Sequence, residues 1–385
     1  MNNFTFFNPT RIHFGKGQIA KIKEEIPENA KVMLTYGGGS IKKNGIYDQV
    51  MDALQGYEVV EFSGIEPNPH YETLVKAIAL AKKESITFIL AVGGGSVIDG
   101  SKFIAAGSVY GGDSWDIIQT SGACVEAAIT LGCVLTLPAT GSEMNSGSVV
   151  TKASTKDKLS FKSAHVHPLF SILDPQTTYT LPKRQIANGA VDSFVHTVEQ
   201  YMTYPVNAKV PDRLAESLLL TILEDGPVAL ENPTDYDARA NLMWVSTMAL
   251  NGTLKTGVPT DWATHMIGHE LTGLYNLDHA QTLAIVIPAV WKFKKQQKRE
   301  KLLQYAERVF ALHQGSDEER IDLAIQKTEE FFALMGNPTR LSAYGLGEKD
   351  IPAVQEKLTL HGLVKLGEHG DITPKEAGEI LKLAL

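Results

Sequence analysis

Up to about residue 174, short runs rich in β-branched and aromatic residues alternate with amphipathic stretches of helical period. Lys31–Tyr36, Tyr57–Phe62, Thr87–Val92, Cys133–Leu137 and Phe170–Leu173 predict strands. Phe4–Phe7 and Arg11–Phe14 add two alternating segments near the N-terminus. Between the strands lie pieces such as YETLVKAIALAKKES, apolar on one helical face. Strands alternating with helices predict an α/β domain with a mostly parallel sheet. After Asp174-Pro175 the pattern changes, and from Pro182 the apolar spacing is helical nearly to the end. Helix starts are marked at Pro211-Asp212, Thr234, Ser316-Asp317 and Thr373-Pro374-Lys375-Glu376. The last combines an N-cap threonine, a proline in the first turn and a glutamate three residues on. The pattern thus divides the chain near residue 178 into an α/β domain, 1–178, and an all-helical domain, 179–385.

Composition adds limits. A chain of 385 residues, 43% hydrophobic and 21% charged, suits a globular enzyme of two domains. A net charge of −8 argues against a nucleic-acid partner, which calls for a basic surface. The strongest apolar run, Ile86–Val92, is only strand length, so no membrane span is expected. MNNFTFFNPTRIHFG has neither the basic nor the apolar region of an export signal, and the expected location is cytoplasmic. Cys124 and Cys133 make no disulfide framework or CxxC metal site and read as inert thiols.

GGGS occurs twice, at Gly37–Ser40 and Gly93–Ser96, each time after a predicted strand and before a helix. Glycines there let backbone N–H groups approach a ligand, and the following helix turns its positive end toward the loop, which suits phosphate. One such loop is commonly only a turn. Two in the same context favour a nucleotide, although the GxGxxG fingerprint is absent. In the second loop, Ser96 and Asp99 form an S-x-x-D pair expected to cap the helix. The first loop, LTYGGGSIKKNG, has no acidic side chain to grip a ribose 2′-hydroxyl, and Ser40 and the glycine amides offer donors to a 2′-phosphate. Lys42 and Lys43 add positive charge, though helix lysines are usually solvated, and NADP is favoured over NAD. A third segment, Thr136–Ser148 (TLPATGSEMNSGS), is dense in hydroxyls and placed after a strand, where it suits a cofactor cleft.

The helical half carries a metal-like constellation. Asp192 and His196 are four apart, as are His265 and His269, and His279 follows. Residues four apart share a helix face, so each pair can converge on one ion. His265 and His269 have the HExxH spacing, but Met266 holds the glutamate position, which removes the protease reading. His165 and His167, alternating on a predicted strand, read as structural.

GGGSVID, TLPATGSE, DSFVH and HMIGH with the later His279, together with FNPTRIHFGKG and the PNP at Pro67–Pro69, resemble the iron-containing alcohol dehydrogenase family over essentially the whole chain. TYGGGS points to its NADPH-dependent aldehyde reductase and butanol dehydrogenase branch. Ala280 departs from the glycine that often follows the last ligand. The resemblance implies a dehydroquinate-synthase-like fold: an α/β dinucleotide-binding domain, an all-α domain, and the site in the cleft between them. It implies Asp192, His196, His265 and His279 as ligands of Fe(II) or Zn(II), with His269 beside the nicotinamide as a non-ligand. Gly37, Gly38 and Ser40 would face the 2′-phosphate, and Gly94, Gly95, Ser96 and Asp99 the pyrophosphate. Thr136, Thr140, Ser142, Asn145 and Lys158 would line the ribose and nicotinamide end. A homodimer pairing near Phe4–Phe14 is also implied.

The expected reaction is reduction of aldehydes to primary alcohols by NADPH at a divalent metal, with His269 or a water it orders relaying the proton. Leu254 and Trp262 hint at an apolar pocket for short aliphatic aldehydes. The rivals are an NAD-dependent polyol dehydrogenase or a sugar-phosphate cyclase on the same fold, a metal-dependent hydrolase, and a non-catalytic metal-binding protein. A cyclase needs basic groups around its metal, yet VDSFVHTVEQ and ATHMIGHELTG contain no lysine or arginine. The other two leave the paired glycine loops without a role.

Overall fold

The computed structural model describes all 385 residues. Its strands are β1 (Arg11–Phe14), β2 (Lys31–Tyr36), β3 (Glu58–Phe62), β4 (Phe88–Gly94), β5 (Thr130–Leu137), β6 (Gly147–Lys152), β7 (Asp157–Lys162) and β8 (Phe170–Leu173). Helices α1 (Ile22–Glu25), α2 (Ile46–Ala53), α3 (Tyr71–Lys83), α4 (Gly95–Val109) and α5 (Trp115–Gln119) lie among them. The rest of the chain forms α6 (Lys183–Tyr201), α7 (Lys209–Glu231), α8 (Tyr236–Leu250), α9 (Ala263–Tyr275) and α10 (His279–Phe293). They are followed by α11 (Arg299–Phe310), α12 (Asp317–Leu334), α13 (Ile351–Leu360) and α14 (Pro374–Lys382).

Six strands form one parallel sheet in the order β1-β8-β5-β4-β2-β3, and β6 pairs with β7 as an antiparallel hairpin. The central strands are buried on both faces, as crossover helices require. Their side chains alternate between two cores: Met33, Ile89, Ala91, Leu131 and Cys133 on one face, and Val32, Leu34, Phe88, Leu90, Val92 and Val134 on the other. From β2 the chain steps outward to β3, then returns across β2 to β4 and continues to β5. The strand order therefore reverses between β2 and β4, and the carboxyl ends of those two neighbours carry the two GGGS loops.

The chain makes two compact units that are interleaved rather than divided by one cut near residue 178. The α/β unit comprises Phe7–Leu181 and Pro233–Thr247, and the helical unit Met1–Phe6, Pro182–Asn232 and Met248–Leu385. Capping boxes start α12 at Ser316 and α14 at Thr373, as the spacing predicts. Phe4–Phe7 forms no strand. His165 lies in a short 3-10 turn, Ala164–Val166, that ends at His167, so these two residues do not alternate on a strand face.

Candidate functional site

Helix α6 is buried along nearly its whole length. Asp192 and His196 face inward from one stripe of it, α9 brings His265, and α10 begins with His279. The donor atoms of Asp192, His265 and His279 lie within 4.8 Å of one another. Around Asp192 Oδ1 stand His196 Nδ1 at 3.6 Å, His265 Nε2 at 3.9 Å and His279 Nε2 at 3.8 Å. These separations are too long for hydrogen bonds, and Asp192 Oδ1 is buried with no hydrogen-bond donor. Ligands about 2.1 Å from a tetrahedral ion stand about 3.4 Å from one another, so the spacing fits a cation at the centre. An all N and O donor set suits a divalent ion of the ferrous or zinc type. The His196 ring stacks on that of His265, with centroids 4.5 Å apart. His269 lies beside the set, its ring centroid 5.1 Å from that of His279.

Two outer contacts hold these side chains, and both involve residues that the sequence reading passed over. Glu199, one turn beyond His196, accepts a hydrogen bond from Thr264 N at 2.7 Å and pairs with His265 Nδ1. Burial and the charge of Asp261 push the Glu199 carboxyl up, and the Thr264 N–H opposes them. Asp278 caps α10 in a capping box with Gln281, and on α6 Arg184 and Asn188 grip its carboxylate, Asn188 at 2.7 Å. The cap of the helix that opens with His279 is therefore tied to the helix that carries Asp192. Trp262, left-handed at φ 63° just before α9, sets its ring against His196 and His265. Leu254 is buried.

In the α/β unit, Gly37, Gly38 and Ser40 follow β2, and Gly39 at φ 87° supplies a turn that other residues resist. Gly94 and Gly95 join β4 to α4. A methyl group at Gly95 would overlap the Thr140 side chain, so bare backbone is required where this loop meets the segment after β5. The expected Ser96–Asp99 capping pair does not form. Helix α4 starts from Gly94 without a side-chain cap, and Ser96 Oγ accepts from Asn68 N at 3.2 Å. Asp99 is drawn inward, where it accepts from Ser142 Oγ at 2.5 Å and Val149 N at 3.0 Å.

Lys102 explains that placement. Fully buried, it donates to Ser142 Oγ, Asn145 O and Gly147 O, each at 2.8 Å, and to Asn145 Oδ1 at 3.1 Å. It pins the whole turn after β5. Burial lowers its ammonium to about 8 against the pull of Asp99. Thr136 and Thr140 sit at the end of β5 and in the turn, and Lys158 is buried on β7. Lys102 was overlooked because a lysine mid-helix reads as solvated surface.

Lys42 is not free to meet a phosphate. Its ammonium binds Glu61 Oε2 at 2.9 Å and lies over the Tyr47 ring. Tyr36 and Tyr47 also donate to Glu61, each at 2.6 Å, so the one carboxylate held by residues flanking the first loop is neutralised where it stands.

In open parallel sheets, ligands bind beyond the carboxyl ends of strands at the point where strand order reverses. Both glycine loops occupy that point. A family model described as iron-containing alcohol dehydrogenase matches residues 9–175, and its C-terminal counterpart matches residues 186–384. The NADPH-dependent aldehyde reductase YqhD of Escherichia coli is 60% identical over 375 residues, 97% of each chain. Its crystal structure superposes with a TM-score of 0.99, covering 100% of this chain and 99% of that one at 59% identity. A probable NADH-dependent butanol dehydrogenase 1 of Bacillus subtilis is 42% identical over 390 residues, the full length of both. No helix is long and apolar enough to cross a membrane. With matches that run from one end to the other, and with Asp192, His265 and His279 grouped as a set able to hold a metal ion, the chain belongs to the iron-containing alcohol dehydrogenase family.

Proposed function

We propose that this chain reduces aldehydes to primary alcohols, taking hydride from NADPH at a divalent metal, Fe(II) or Zn(II), held by Asp192, His196, His265 and His279. The observation that carries the reading is Asp192 Oδ1, buried without a hydrogen-bond donor and faced by three imidazole nitrogens 3.6, 3.8 and 3.9 Å away. When bound, the metal supplies Lewis acidity toward the aldehyde oxygen. The chain supplies one negative charge and three imidazoles, which would hold a divalent ion and leave it with net positive charge. His269, next to this shell, would hold the proton that completes the alcohol, giving it directly or through a water.

Gly37, Gly38 and Ser40 take the 2′-phosphate, and Gly94, Gly95 and Ser96 the pyrophosphate. Thr136, Thr140 and Lys158 face the ribose and nicotinamide end. Ser142 donates to Asp99, and Lys102 donates to Ser142 and Asn145, so the contribution of these three residues is a fixed loop backbone. The NADPH preference rests on the missing acid in the first loop and on the neutralisation of Glu61. The likeness to an NADPH-dependent reductase at 60% identity supports it. A cytoplasmic homodimer completes the reading. Strand β1, at the sheet edge with Arg11 and Phe14 exposed, offers a pairing surface that light scattering would test.

The deciding measurement is oxidation of NADPH and NADH with butanal, before and after stripping the protein and restoring Zn(II) or Fe(II). Metal-dependent turnover with NADPH well above NADH is expected. No turnover with either nucleotide at a filled metal site would sink the reductase reading.

A further inference from the structure

Glu199 lies three residues after His196 and seven after Asp192, so all three share one face of α6. It is 1% exposed. A carboxylate taken so far from water is costly unless donors meet it. Two do. Thr264 N reaches Oε1 at 2.7 Å, and Oε2 faces Nδ1 of His265. The neighbouring backbone is fixed as well: Asp261 N donates to Glu199 O at 2.9 Å, and Asp261 Oδ1 accepts from Ala263 N at 2.8 Å at the start of α9. Lys298, itself buried, holds the other Asp261 oxygen at 2.6 Å.

A neutral imidazole has one N–H and one lone pair. If Nδ1–H of His265 is given to Glu199, the lone pair is left on Nε2, the nitrogen 3.9 Å from Asp192 Oδ1. We propose that Glu199 is a positioning residue of the metal centre: it sets the tautomer and ring orientation of His265 and raises the affinity of the site. This rests on the metal reading above. One stripe of α6 then provides two ligands and the support for a third. Outer carboxylates of this kind are worth about 10–100-fold in metal affinity.

The test compares wild type, Glu199→Gln and Glu199→Asp, each stripped of metal. Zn(II) affinity is read by competition with a chromogenic chelator, the Co(II) visible spectrum reports ligand geometry, and thermal unfolding of the metal-free forms controls for folding. Glu199→Gln should lose about 10–100-fold in affinity and shift the Co(II) bands, with Glu199→Asp recovering part of both. Wild-type affinity and an unchanged spectrum in Glu199→Gln would overturn the inference alone. A wild type that takes up no metal would overturn the metal reading and this inference together. If Glu199→Gln does not fold, nitrogen-15 histidine spectra of Zn(II)-loaded wild type decide: a proton on Nδ1 of His265 supports the assignment, and metal on Nδ1 overturns it.

Discussion

Three donors converge on Glu61: the hydroxyls of Tyr36 and Tyr47 and the Lys42 ammonium. They hold its carboxyl down to about 2, against an ordinary value of 4.5, although partial burial works the other way. A carboxyl depressed in the folded state stabilises that state above its unfolded pKa, and the contribution is lost as pH falls through the folded value. Acid unfolding between about pH 4.5 and about pH 2 should therefore be shallower in Glu61→Gln than in wild type, which parallel pH titrations by circular dichroism would show. Asp192 stands at the opposite extreme, a buried oxygen with no donor. On the proposed metal reading, Asp192→Asn removes the one negative charge from the cluster and should cost about a hundredfold or more in kcat/KM, because Lewis acidity is worth several kcal/mol and each factor of ten about 1.4. Metal analysis of the purified variant should show the loss directly. At this scale the cluster was legible, since helical spacing put Asp192, His265 and the later His279 in the frame, and the structure brings their donor atoms within 4.8 Å of one another. Glu199 and Lys102 were not, because a lone acid or base on a helix has the same appearance in sequence whether it faces solvent or a buried partner.

The junction between β4 and α4 shows what an element demands of its residues. A side chain on Gly95 meets Thr140, and one on Gly94 comes within 2.8 Å of Leu137 Cβ. Gly95→Ala should push the β4–α4 loop away from the turn after β5 and cost about 1–3 kcal/mol of stability by overpacking; on the proposed placement of the nucleotide it should also raise KM for NADPH more than it lowers kcat. Steady-state kinetics with thermal unfolding would check both. Strands β2 and β8 were readable to the residue, as short, largely apolar runs ended by Gly37 and by Asp174-Pro175. The hairpin of β6 and β7 was missed. Its residues, GSVVTK and DKLSFK, set Val150 and Phe161 into a sheet core among polar, partly exposed neighbours, so the hydrophobic period is only two or three residues long and does not stand out from the flanking loops. Phe4–Phe7 had such a period and formed no strand, since alternation does not supply a partner strand.

The chain as a whole passes twice through the α/β unit. Pro233–Thr247 returns to it after α7, with Met243 buried in one sheet core, Trp244 edge-on to Phe14, and Thr247 donating to Glu143 at 2.5 Å. Arg239 binds Thr178 O and Pro233 O, both at 2.9 Å. The helical pattern of this stretch is plain in sequence, but its allegiance is not, because long-range packing leaves no local mark. A fragment ending at Leu181 should therefore expose the Met243 side of its core and the Glu143 carboxyl, and on expression it should aggregate or unfold well below the intact protein, as sedimentation and calorimetry would show. The same threading governs recombination between relatives. A chimera that exchanges the nucleotide half at a single crossover near residue 181 separates fifteen residues from the core they complete. An exchange with paired crossovers, carrying 233–247 along with the first segment, transplants a self-consistent unit.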